Sequence, residues 1–154
     1  MTLSTRRATI RDLDALVPLF DAYRQFYAQP TDQDLARRFL RERFEHGQSI
    51  VFIAEEIAEE DDGAALGFTQ LYPSFSSTRA ARIFVLNDLF VAPAGRKRGL
   101  GAALLAAAAD YSRGEGAALL ALRTARTNLA AQSLYEAQGW KRDDVFLSYD
   151  LSLT

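Results

Sequence analysis

The chain has no cysteine and one histidine, His46, in 154 residues. The first absence excludes disulfides, thiolate metal sites and cysteine nucleophiles, and it fits a cytoplasmic protein. The second leaves nothing on which to build a histidine metal centre, so no metal ligand is expected. No apolar run reaches the length of a membrane span, and Met1–Thr9 holds no apolar core of the kind a secretory signal needs. Excess charge is also missing: 18 basic against 20 acidic residues give a net charge of −2. That argues against binding nucleic acid by bulk charge. No internal repeat and no interdomain linker is visible. With 49% hydrophobic and 25% charged residues, the composition is that of a globular protein. Residues 1–154 are expected to form a single domain with room for a real core.

What is present is concentrated in residues 83–105. Ile83–Val91 is nearly all apolar and β-branched or aromatic, interrupted by Asn87 and Asp88, and suits a strand covered on both faces. Pro93 ends it, because proline has no N–H for a ladder. An alanine-rich helix begins near Gly99. Between them, Arg96, Lys97 and Arg98 set positive charge beside Gly99 and Gly101, where a ligand can approach the backbone closely. The first N–H groups of the helix lack intrahelical partners and, with the helix dipole, form an anion site. The natural guest is a phosphate or pyrophosphate.

Three phosphate-binding designs compete for this turn. A P-loop ends in Gly-Lys-Ser/Thr, which is absent. A dinucleotide fingerprint needs a third glycine where Leu104 stands. The third design, Arg/Gln-x-x-Gly-x-Gly/Ala, is matched by Arg96–Lys97–Arg98–Gly99–Leu100–Gly101. It is the pyrophosphate motif of the GNAT superfamily of N-acetyltransferases, which the chain resembles.

The remaining elements follow in order. Arg6–Ile10 reads as a strand. Asp12 can cap a helix whose stripe is Leu13, Leu16, Val17, Phe20, Tyr23 and Tyr27. Asp32 or Asp34 starts a second helix, which Gly47 ends. Ser49–Glu55 and Ala65–Tyr72 read as antiparallel strands. Between them Glu55–Gly63 carries six carboxylates, read as a solvated hairpin loop or, alternatively, as a rim attracting a cationic amine. Tyr72–Thr78 is expected to be a polar, aromatic loop. Leu119–Thr124 is a short strand, and Asn128 caps a last helix that Gly139 stops. Trp140–Arg142 and Phe146–Leu153 are expected to close the sheet.

The order resembles the GNAT architecture over essentially the whole chain. The implied fold is α/β (α+β): a mixed, mostly antiparallel seven-stranded sheet with a V-shaped splay between its central strands and about four helices. Acetyl-CoA would lie in the splay as cosubstrate, and a homodimer is expected because such dimers are frequent in the family.

The resemblance also implies roles. The cofactor would be anchored by Arg96, Lys97, Arg98, Gly99, Leu100, Gly101 and Ala102. Backbone N–H groups of Leu89, Phe90 and Val91 would pair with its pantetheine arm and polarise the thioester carbonyl. The segment Asn128-x-x-Ala131-x-x-x-Tyr135-x-x-x-Gly139–Trp140 looks like the family's second motif, with Asn128 holding the cofactor arm and Tyr135 acting as general acid. Two helical turns separate Asn128 from Tyr135, so they share a face. A phenol with a pKa of about 10 is protonated at neutral pH and suits a thiolate leaving group. Asn87 stands where some relatives carry a glutamate base. Asp88 is adjacent, but alternation points it to the other face unless a bulge intervenes. A water chain from Asn87 or Asp88 is the expected proton route. Acceptor contacts are expected from Tyr27, Tyr72, Phe75 and Ser76.

The implied function is transfer of acetyl from acetyl-CoA to a primary amine of a small molecule or peptide, by direct attack in a ternary complex. A sensor domain that binds acyl-CoA without turnover is the alternative that Asn87 suggests. A nucleotide-phosphate enzyme of unrelated fold lacks the lysine-serine/threonine pair and the metal ligands it would need.

Overall fold

The computed structural model describes residues 2–58 and 61–154. They fall into two compact units, the first ending at Arg123 and the second comprising Thr124–Thr154.

The first unit is built on five strands, β1 (Thr2–Arg7), β2 (Ile50–Ala58), β3 (Asp61–Ser76), β4 (Ala81–Val91) and β5 (Leu119–Ala121), hydrogen-bonded in that order. Pairing is antiparallel from β1 to β4 and parallel between β4 and β5. Helices α1 (Leu13–Phe26) and α2 (Gln33–Glu45) bury one face. Leu16, Val17, Phe20, Ala36 and Leu40 pack there with Val51, Ile53, Phe68 and Phe90. Helix α3 (Leu100–Gly114) covers the other face, where Leu100 and Leu104 meet Ala54 and Leu66. Fully burying a leucine or phenylalanine contributes about 1.5–3 kcal/mol, so these two clusters fix the layer order.

Helix starts follow the sequence closely. Asp32 caps α2 by accepting the Leu35 N–H at 3.0 Å. Thr9, rather than Asp12, opens the α1 region, because Asp12 returns its carboxylate to the Thr9 N–H at 2.8 Å and to Arg6.

Two loops expected from the sequence are strands instead. Strands β2 and β3 run on to the Ala58–Asp61 pair, so Glu55 and Glu56 are ladder residues. Each is held by an arginine, Glu55 by Arg6 at 2.7 Å and Glu56 by Arg98 at 2.6 Å. Glu59 and Glu60 lie outside the described residues. Tyr72, Phe75 and Ser76 likewise belong to β3, paired with Val85, Arg82 and Ala81 of β4. Polar side chains on the outward face of a ladder mimic loop composition.

In the second unit, α4 (Leu129–Ala137) forms as expected, with Asn128 accepting the Ala131 N–H at 3.2 Å. The closing strands do not form among the described residues, which contain five strands rather than seven. Residues 138–154 join no ladder, and Phe146, Tyr149, Leu151 and Leu153 are 79–89% exposed. Alternation shows which residues can share a face, but a strand also requires a partner edge.

Candidate active site

The site in the first unit begins with a change of face along β4. Phe84 packs on Tyr111 of α3, ring centroids 5.5 Å apart, whereas Phe90 meets Tyr23 of α1 at 6.5 Å. The two phenylalanines stand an even number of positions apart, so strict alternation would put them on one face. The register explains the switch: Gln70 pairs with Asp88 and Leu71 with Leu86, leaving Asn87 as an extra residue. This bulge re-aims the residues beyond it, and Asn87 and Asp88 line the same cavity.

That cavity has a volume of about 340 Å³. Phe20, Leu35 and Phe39 supply an apolar wall; Tyr23, Arg24, Tyr72, Asn87 and Asp88 supply the polar groups. Tyr23 donates its hydroxyl to the Asn87 carbonyl at 3.1 Å, which braces the bulge. Of the acceptor residues expected from the sequence, Tyr72 lines the cavity. Tyr27 sits edge-on to Tyr23 at 5.1 Å and stays half-exposed. Phe75 is exposed under Arg82, near the far end of β3 with Ser76.

Asp88 is 1% exposed. Its carboxylate accepts from Gln70 Nε2 at 2.6 Å and from Asn87 Nδ2 at 2.8 Å. Each hydrogen bond to an ion contributes about 1.5–3 kcal/mol, against several kcal/mol for removing the ion from water. Burial wins and raises the Asp88 pKa above the ordinary carboxylate value. Burial is also the main reason that the Tyr23 and Tyr72 hydroxyls hold their protons more tightly than a free phenol.

The β4–β5 ladder stops before this bulge. Strand β5 pairs with Ile83, Phe84 and Val85, so among the described residues Leu86–Val91 have no strand partner on that side. In a strand about half the backbone N–H groups point to each edge, which leaves several in this stretch without a ladder partner. The side chains there serve packing: Phe90 joins the α1–α2 cluster, and Leu89 and Val91 join the α3 cluster.

The basic turn follows directly. The Ala92 N–H donates to the Leu66 carbonyl at 2.7 Å and anchors the end of β4. A Cβ on Gly95 would stand 3.0 Å from both Leu66 and Leu100, so glycine there lets the turn pack against the sheet. Lys97 (φ 60°) and Gly99 (φ 79°) are both left-handed, a conformation that costs a lysine free energy and clusters at ligand clamps. The Cβ direction of Gly99 is open. No side chain caps α3, and its first backbone bond runs from the Ala103 N–H to the Gly99 carbonyl. The N–H groups of Leu100, Gly101 and Ala102 therefore remain for a ligand.

Arg96, Lys97 and Arg98 are exposed around these donors. Arg96 donates Nε to the Val91 carbonyl at 3.2 Å. Arg98 is engaged by Glu56, which it holds below the ordinary carboxylate range. An uncapped helix start, two left-handed residues and surplus positive charge fit the diphosphate of coenzyme A.

In the second unit, Asn128 spends its side-chain oxygen on the α4 cap, which leaves the amide N–H groups for other contacts. Tyr135 is half-buried and tilted against Trp140 at 6.0 Å.

Sequence reasoning missed Tyr23, Arg24 and Gln70. Arg24 follows Phe20 by four residues, which puts both on one helix face. Gln70, beside Thr69, interrupts an otherwise apolar strand, which was the available signal for it.

Known proteins are similar to this chain in sequence and fold. The model of the acetyltransferase (GNAT) family matches residues 14–140. The uncharacterized N-acetyltransferase YhfO of Bacillus subtilis is 45% identical over 98% of both chains. A probable acetyltransferase of Haemophilus influenzae is 31% identical over 93% of both. A crystal structure of a probable acetyltransferase superposes with a TM-score of 0.89 at 36% identity, covering 98% of each chain. With the family model matching most of its length and a relative 45% identical over nearly all of it, the chain belongs to the GNAT family, the N-acetyltransferases that move an acetyl group from acetyl-CoA to an amine.

Proposed function

We propose that residues 1–154 act as one acetyltransferase domain that acetylates a primary amine by direct attack in a ternary complex. The reading rests most heavily on the Asn87 bulge, which turns Asp88 into the cavity beside the unpaired edge of β4. Acetyl-CoA supplies the activated acetyl group. Leu100, Gly101 and Ala102 N–H groups, with Arg96, Lys97 and the Arg98 backbone, hold its diphosphate. Backbone N–H groups within Leu89–Val91 bind its arm and stabilise negative charge on the reacting carbonyl oxygen. Tyr72 lines the acceptor side, with Tyr27, Phe75 and Ser76 as outer contacts.

Asp88 takes the proton of the incoming ammonium, directly or through a water held with Asn87. The nitrogen lone pair then forms the new C–N bond as the C–S bond breaks, and the second proton on that nitrogen leaves to water, which also reprotonates the tyrosine that serves the sulfur. Tyr135 gives its phenolic proton to the departing sulfur, and Asn128 steadies the arm through its amide N–H groups. Tyr135→Phe is expected to lower kcat about a hundredfold or more while acetyl-CoA affinity, read by calorimetry, stays unchanged. Unchanged kcat would remove Tyr135 from the mechanism.

We further propose that the protein works in the cytoplasm, where acetyl-CoA is available, as a homodimer. The exposed apolar side chains within residues 145–153 support a second copy as the group that covers them. Sedimentation is expected to give twice the chain mass, and a monomer at assay concentration would overturn the dimer.

A further inference from the structure

We propose that the acceptor is a zwitterion, a primary amine that also carries a carboxylate, and that Arg24 reads the carboxylate. This rests on the reading of the cavity as the acceptor site. The cavity wall carries two side chains of opposite formal charge, Asp88 on β4 and Arg24 on α1. Asp88 is committed to Gln70 and Asn87. Arg24 is not committed in the same way. Its Nη1 is buried and has no hydrogen-bond partner among the described residues. The nearby carboxylate of Asp21 feels its charge, but Asp21 spends its oxygens on the Thr31 hydroxyl at 2.6 Å and the Asp32 N–H at 2.8 Å.

A buried guanidinium donor without a partner is costly. A ligand carboxylate relieves that cost, because the planar guanidinium matches it with two parallel hydrogen bonds. The same Arg24 works against a diamine or polyamine, whose second ammonium would meet a like charge. Between the two charged ends, Phe20, Leu35 and Phe39 offer an apolar surface to the acceptor's side chain. The amine end faces Asn87 and Asp88, and the carboxylate end faces Arg24.

Acetyl transfer to decarboxylation pairs tests the assignment: L-phenylalanine with phenethylamine, L-leucine with isopentylamine, and L-lysine with 1,5-diaminopentane. CoA thiol release is followed for the wild type, Arg24→Gln and Arg24→Glu. In at least one pair, the carboxylated acceptor is expected to lead in kcat/KM by roughly ten- to a hundredfold. Arg24→Gln erases that lead, lowering kcat/KM for the carboxylated acceptor far more than for its plain amine, while acetyl-CoA affinity holds. Arg24→Glu shifts preference toward 1,5-diaminopentane. Equal kcat/KM within every pair overturns the inference and leaves the acetyltransferase reading intact. So does an Arg24→Gln loss that is equal for both members of every pair, the mark of a merely structural role. Release of CoA with none of the six amines overturns both readings.

Discussion

Asp88→Asn lowers kcat by about a hundred- to ten-thousandfold, the usual span for losing a general base, while acetyl-CoA affinity holds. The substitution can be accommodated. Gln70 Oε1 is buried without a partner while Gln70 Nε2 serves Asp88. Turning the Gln70 amide over presents its oxygen to the side-chain amide that Asp88→Asn introduces, so the buried pair stays satisfied. A thermal melt separates this loss from unfolding.

The pH profile gives an independent reading. Asp88 must be ionised to take a proton, and burial raises its pKa. Activity therefore climbs with pH through that raised value, and Asp88→Asn removes this limb. Stability runs the other way. The folded chain binds this proton more tightly than the unfolded chain. The resulting stabilisation is complete below the ordinary carboxylate range and is lost as pH rises through the folded value. An unchanged rate and an unchanged acidic limb in Asp88→Asn would remove Asp88 from the mechanism.

Gly101→Trp abolishes measurable acetyl-CoA binding. Gly101 is the second residue of α3, half-exposed, and its N–H precedes the first intrahelical bond. A diphosphate oxygen must come within about 2.9 Å of such a donor, and an indole at the site fills that space. Gly101→Ala adds a single methyl group and suits a helix better, so it binds far better than the tryptophan variant. Arg96→Ala leaves the donors in place and removes one charge, and is expected to weaken binding by about ten- to a hundredfold. Calorimetric titration distinguishes these outcomes. Wild-type affinity in Gly101→Trp would move the diphosphate away from this turn.

The geometry of the basic turn was legible in the sequence because it is local. Arg96 to Gly101, the strand before them and the helix after them are contiguous, and each glycine or charge acts within a few residues. The cap at Asn128 was legible for the same reason. The cavity was not, because Tyr23, Tyr72 and Asp88 come from α1, β3 and β4, and packing brings them together. The bulge at Asn87 was foreseen only as a condition, since alternation gives no sign of where an extra residue will sit. The acidic stretch misled because its composition describes solvated charge, whereas Glu55 and Glu56 found arginines 49 and 42 residues away. The β3 residues from Tyr72 to Ser76 misled for a related reason, since ladder pairing depends on a partner strand.

The most direct measurement is release of CoA thiol from acetyl-CoA by the wild-type protein, with and without the six amines, after calorimetry has shown that acetyl-CoA binds. Amine-dependent release, with one N-acetyl product per thiol by mass spectrometry, is the expected result. Tight binding with no amine-dependent release contradicts catalysis and leaves an acyl-CoA sensor. Absence of binding contradicts the assignment of the Arg96–Gly101 turn as the coenzyme A site.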